Sequence, residues 1–155
     1  MKNPPRRGYF LAFAMAGLFA LLMAPARLAG ITDWLEAAVD VIAAGAGCLQ
    51  LREKDLDSGE LLARARHMAA LCREHNVLFI VNDRPDIAAL CDADGVHVGQ
   101  TDMSVADARR IVGPHRLIGK STHTPEQLHA ALTEAPDYVA VGPMFPSTTK
   151  PQDHV

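Results

Sequence analysis

From residue 32 onward the apolar positions follow two periods in turn. "TDWLEAAVDVIAAG" places them at helical spacing and stops at Gly45, and "CLQL" follows as a short apolar strand. "DSGELLARARHMAALCREHN" predicts a second helix. Asp57 and Glu60 stand at capping-box spacing, Leu61, Leu62, Ala65, Met68, Ala69 and Cys72 share one face, and Asn76 closes it. Then "VLFIV" reads as a strand, "RPDIAALCDA" as a short helix, "GVHV" as a strand and "SVADARRIV" as a helix. "RLIG", "TPEQLHAALTEA" and "YVAVG" continue as strand, helix and strand. Short strands that are apolar on both faces and alternate with helices predict a parallel sheet covered by helices.

The start of the chain is less regular. Lys2, Arg6 and Arg7 precede the uncharged run "GYFLAFAMAGLFALLMAPA", and Ala24-Pro25-Ala26 has the small residues of a cleavage site, so the outline is that of a secretory signal. The competing reading makes 18–23 the first buried strand and 8–16 a short extension ahead of it. With that strand the count is six, compatible with an open doubly wound sheet. A (β/α)8 barrel would need two more strand–helix units.

The strand ends carry the chemistry. In "CLQLREKD" the period of two puts Gln50, Arg52 and Lys54 on one face and Leu49, Leu51 and Glu53 on the other. An amide, a guanidinium and an ammonium therefore line up at the end of an otherwise apolar strand. Asn82, Asp83, Gln100, Asp102, Ser121, Thr148, Thr149 and Lys150 also follow apolar strands, at the C-terminal end where both architectures place ligands. Any one of these charges alone reads as a surface salt bridge. As a set, three cations beside two carboxylates suit a diphosphate with Mg2+: Arg grips phosphate through paired N–H bonds, Lys adds point charge, and carboxylates are hard ligands.

Composition narrows the classes. In 155 residues, a formal charge of -3 gives no general attraction to nucleic acid, and two Tyr, one Trp and five Phe make no extended stacking platform. Cys48, Cys72 and Cys91 have no metal-ligand spacing and read as small buried hydrophobes in a reducing compartment. "GPHRLIGKS" imitates a P-loop, but Pro114 stands where its first turn needs glycine, and Gly119-Lys120-Ser121 follows a strand instead of preceding a helix.

Taken together and in order, "QLREKD", "VNDRPDIA", "DGVHVGQTD", "IGKSTH" and "YVAVGPMFPSTTK" resemble the thiamine phosphate synthase family, from about residue 18 to 150. The resemblance implies a TIM barrel that joins hydroxymethylpyrimidine diphosphate to thiazole phosphate and releases diphosphate in the cytoplasm, with small-molecule partners and no nucleic acid or membrane. It implies that Gln50 contacts the pyrimidine side, and that Arg52, Lys54, Asn82, Ser121 and Lys150 hold the diphosphate. Asp83 and Asp102 would bind Mg2+, His97 would lie near the pyrimidine, and Ser147, Thr148 and Thr149 would reach the thiazole phosphate. His97, between Val96 and Val98, also reads as a core histidine. No catalytic general base is assigned, because the thiazole nitrogen is itself the nucleophile.

The expected organisation is an extension of unassigned role over 1–17, signal-like in composition, and a partial barrel over 18–155. The family's last two strand–helix units have no counterpart before Val155. The expectation is a fragment of a longer synthase, poorly stable in isolation, with completion by association in a homo-oligomer and a diphosphate binder without catalysis as alternatives. A thiazole tautomerase, with His123 as base, is the other enzymatic alternative.

Overall fold

The computed structural model describes the backbone of 19–23 and residues 34–142. The sequence calls on 1–17 and on Ser147, Thr148, Thr149 and Lys150 fall outside these residues. Among the described residues six strands alternate with five helices: β1 Phe19–Met23, α1 Trp34–Ala43, β2 Cys48–Arg52, α2 Ser58–Glu74, β3 Leu78–Asn82, α3 Pro85–Leu90, β4 Gly95–Val98, α4 Val105–Val112, β5 Leu117–Thr122, α5 Pro125–Glu134 and β6 Tyr138–Val141. The strand proposed over 18–23 is present as β1.

All neighbouring strands pair in parallel, in the order β1-β2-β3-β4-β5-β6. A doubly wound sheet reverses direction at a switch point, and this one never does. Each crossover steps the same way, and right-handed crossovers then put every helix on one face. The result is a TIM-barrel-like wall, incomplete over the described residues, with helices outside and a concave inner face.

The period of two sorts side chains between those faces. Leu49, Leu51, Phe79, Val81, Val96, Val98 and Ile118 join the core formed with Leu61, Ala65, Met68, Ala69 and Cys72 of α2. The intervening residues, Gln50 and Arg52, Ile80 and Asn82, Gly95 and His97, and Gly119 and Ser121, turn inward. Glu53 goes outward as its parity requires. It meets Arg64 at 3.4 Å, while the Arg64 guanidinium lies 5.3 Å from the centre of the Trp34 ring.

The capping box is not formed. Asp57 does occupy the N-cap of α2, but its side chain makes no capping bond, and Glu60 instead meets Arg64 one turn on, at 3.1 Å. Asn76, just beyond α2, adopts φ +56, a left-handed turn that asparagine tolerates. Cys72 and Cys91 are buried, Cys48 is half-buried and all three are free. No described helix is long and apolar enough to cross a membrane.

Candidate active site

The inner face becomes polar toward the strand C-termini. Register sets Asn82 of β3 beside His97 of β4, His97 beside Gly119 of β5, and Gly119 beside Tyr138 of β6. On β2, Gln50 pairs with Ile80 and Arg52 follows one step further along the same face. Gln50 is only 5% exposed, yet its amide meets no described hydrogen-bond partner. An unsatisfied buried amide is costly, and one facing a cleft is available to a ligand. No described carboxylate pairs with the Arg52 guanidinium within ion-pair distance.

The loop after β2 carries Lys54 across to β3, where its ammonium lies 3.5 Å from Asp83 Oδ2. Asp83 adopts φ +61, an uncommon conformation for a residue with a side chain. Its N–H still donates to the His97 carbonyl at 2.8 Å, so the turn ends β3 without breaking the ladder to β4. Asp102 approaches the same spot from the loop after β4, its Oδ2 accepting the Gly99 N–H at 2.7 Å. Gly99 has no room for more: a Cβ there would stand 2.8 Å from that oxygen. Burial, and then the hydrogen bond and negative charge of Asp102, raise the Asp83 carboxyl above its ordinary value, with Lys54 opposing. Two hard oxygen donors side by side form a donor set that a divalent cation suits. Among the described residues no cluster of three or more metal-ligating side chains exists, so waters or ligand oxygens would complete such a coordination shell.

His97 is buried and has partners at both ring nitrogens. Nδ1 lies 3.1 Å from Tyr138 Oη and Nε2 lies 2.7 Å from Ser121 Oγ. Burial lowers its pKa to about 4, against a weaker opposing pull from Asp102. The imidazole is therefore neutral near pH 7. Burial also pushes the Tyr138 phenol up, which keeps it protonated. His97 is thus a buried histidine with both ring nitrogens satisfied, as the core reading expected, and it bridges Tyr138 and Ser121 on the inner face.

Structure brings Gln50, Arg52, Lys54, Asn82, Asp83, His97, Asp102 and Ser121 to one end of the sheet. Sequence reasoning missed Tyr138 and Gly119. Glycine inside a strand often marks a close approach, and here a Cβ would fall 2.1 Å from Tyr138 Cζ. Lys120 of the rejected P-loop resemblance is buried on the outer face, 3.7 Å from Glu134. His123 is exposed and its Nδ1 meets the Gly142 carbonyl. A cavity of about 260 Å³ lies at the opposite, N-terminal end of the strands, lined by Arg73, Leu78, Asp92 and Asp94 among others. Arg73 and Asp92 pair there, and the candidate residues read from the sequence lie at the other, C-terminal end of the strands.

Comparison with known proteins identifies the family. The family profile described as thiamine monophosphate synthase matches residues 21–155. The thiamine biosynthetic bifunctional enzyme of Arabidopsis thaliana is 41% identical over 97% of this chain, which spans 29% of that protein. The thiamine-phosphate synthase of Synechococcus sp. WH7803 is 50% identical over 71% of the chain and 31% of its own length. Among solved structures, thiamine phosphate pyrophosphorylase from Pyrococcus furiosus superposes with a TM-score of 0.76 at 29% identity, over 84% of this chain and 61% of that one. The chain thus spans about a third of the length of the first two relatives.

Proposed function

The chain belongs to the thiamine monophosphate synthase family, and on that premise we propose that it contributes the pyrimidine diphosphate half of a thiamine phosphate synthase site. The reaction joins hydroxymethylpyrimidine diphosphate to thiazole phosphate. The methylene C–O bond breaks with its electron pair leaving on diphosphate, and the thiazole nitrogen lone pair forms the new C–N bond. Charge balances without a proton transfer, consistent with the lack of an assigned general base.

The observation that carries this reading is the convergence at one end of the sheet. Arg52 has no ion-pair partner among the described residues, Lys54 reaches inward, and the carboxylates of Asp83 and Asp102 stand together beside it. In this assignment Arg52, Lys54, Asn82 and Ser121 hold the diphosphate, and Lys150 joins them from outside the described residues. Gln50 presents its buried amide to the pyrimidine, with His97 near the same ring. Ser147, Thr148 and Thr149 are assigned to the thiazole phosphate. Asp83 and Asp102 would hold Mg2+, which when bound adds positive charge beside the leaving oxygens. Preorganised cations stabilise the departing diphosphate most when the C–O bond is nearly broken, which is where they lower the barrier. The substrates are small phosphorylated molecules, and we place the reaction in the cytoplasm. A tautomerase needs neither the paired carboxylates nor the adjacent cations, and His123, its candidate base, points to the Gly142 carbonyl.

The test is Mg2+-dependent formation of thiamine phosphate by the purified chain with both substrates. Product above the uncatalysed rate, lost with Arg52→Ala or Asp83→Asn, is expected. Tight binding of the pyrimidine diphosphate without turnover, even with the C-terminal part of a relative supplied, would instead make the chain a binding module.

A further inference from the structure

The contacts around His97 form a sequence across three strands, from Tyr138 on β6 through the imidazole on β4 to Ser121 on β5. Its geometry is closely set. A Cβ at Gly119 would stand 2.1 Å from Tyr138 Cζ, 2.4 Å from Tyr138 Oη and 2.5 Å from His97 Nδ1, so the phenol meets the imidazole directly over the glycine. The two rings lie 5.5 Å apart at an interplanar angle of 34°.

We infer that Tyr138 is a positioning residue that fixes the tautomer of His97 and thereby turns the Ser121 hydroxyl into a directed donor at the diphosphate end of the site. This rests on the proposed synthase reading for the identity of the ligand. A neutral imidazole has one donor nitrogen and one acceptor nitrogen. A phenol is a better donor than acceptor, because its oxygen lone pair is delocalised into the ring. The pyridine-type nitrogen of imidazole is a strong acceptor, so the matched arrangement has Tyr138 O–H donating to Nδ1. The ring proton then sits on Nε2 and donates to Ser121 Oγ, only 2.7 Å away. With that lone pair engaged, the Ser121 hydroxyl proton turns away from His97, toward the inner face that carries Arg52 and Asn82. Gln100 supports this end of β5 by donating its side-chain N–H to the Ser121 carbonyl. A hydroxyl held as a donor to a leaving-group oxygen strengthens as negative charge grows there, so its effect falls on turnover more than on binding.

Nitrogen NMR on the purified chain with ¹⁵N-labelled histidine reads the tautomer without any need for turnover. His97→Gln identifies the signals. Wild type is expected to show a pyridine-like Nδ1 and a protonated Nε2 at His97. Tyr138→Phe, which removes only the hydroxyl, is expected to populate both tautomers. It is also expected to lower kcat about tenfold, the scale of one net hydrogen bond, with KM for the pyrimidine diphosphate within about twofold. A wild-type Nδ1–H tautomer, an unchanged tautomer in Tyr138→Phe, or an unchanged kcat overturns the inference. The wild-type spectrum decides the tautomer even where the variant does not fold. A wild-type chain that makes no thiamine phosphate even with the C-terminal part of a relative supplied sinks the functional reading, yet the nitrogen signals still report the tautomer.

Discussion

Gly119 sits where two side chains from other strands meet over its α-carbon. Gly119→Ala adds one methyl into that contact, and Tyr138 and His97 must both retreat, since the new carbon would stand well inside van der Waals distance of each. Overpacking of this kind costs about 1–3 kcal/mol. A urea titration comparing Gly119→Ala with wild type should show a lower midpoint at unchanged slope, and an unchanged midpoint would mean the rings have free room to move. His97 itself predicts a pH dependence. Its folded value of about 4 lies below the ordinary 6.5, so the unfolded chain takes up the proton first as pH falls. The contribution is intact above about pH 6.5 and is lost progressively toward pH 4, amounting to about 2 kcal/mol by pH 5. Asp83 has the opposite sign: its raised carboxyl favours the folded state at low pH, and that contribution fades as pH rises through its folded value. Comparing His97→Gln with wild type at pH 7.5 and pH 5 isolates the histidine, and equal pH slopes would show that His97 does not titrate as its burial requires.

At the scale of elements, the same device recurs at two strand starts. Asp94, just before β4, accepts the Phe79 N–H at 2.8 Å through its carboxylate while its own N–H donates to the Phe79 carbonyl at 3.0 Å. Asp137, just before β6, does the same to Ile118, with both distances 2.8 Å. Each aspartate brackets the strand before it and helps set the parallel register. Asp94→Ala leaves the buried Phe79 N–H without its carboxylate, which should cost about 1–3 kcal/mol in thermal or urea unfolding, with Asp94→Asn losing less because an amide oxygen still accepts. Elements and their order were legible in "GVHV" or "YVAVG" because apolar runs of that length between helical repeats leave few alternatives. Capping was not. Glu60 has a cation four residues on as well as a backbone N–H to choose from, and spacing alone does not rank the two.

The whole sheet is what makes a site of residues spread from Gln50 to Ser121. Arg52 and Lys54 come from β2 and its loop, Asn82 and Asp83 from the end of β3, Asp102 from the loop after β4 and Ser121 from β5. A ligand that touches all of them ties four consecutive strand–loop units together and binds only the folded chain. Diphosphate with Mg2+ at about 100 times its Kd should therefore stabilise by about 2.7 kcal/mol, seen as a rise of several degrees in Tm. Asp83→Asn keeps a residue that tolerates the left-handed turn but removes the charge, so it should abolish the Mg2+-dependent part of that shift. A shift that survives in Asp83→Asn would place the metal elsewhere.

By itself the sequence determined which residues share a face and which end of each strand carries charge, because a period of two keeps Gln50 and Arg52 together, opposite Leu49 and Leu51. It also carried the family, through motifs whose order and gaps are hard to reproduce by chance. Periodicity left open the choice between a switch-point sheet and a sequential wall, since no single strand records its neighbours; the resemblance implied the barrel, and the strand pairing shows the sequential order. Tertiary structure alone set Lys54 against Asp83 and Tyr138 over Gly119 onto His97. Those contacts join residues 29 and 41 positions apart, and only the packing of separate strands brings them within reach.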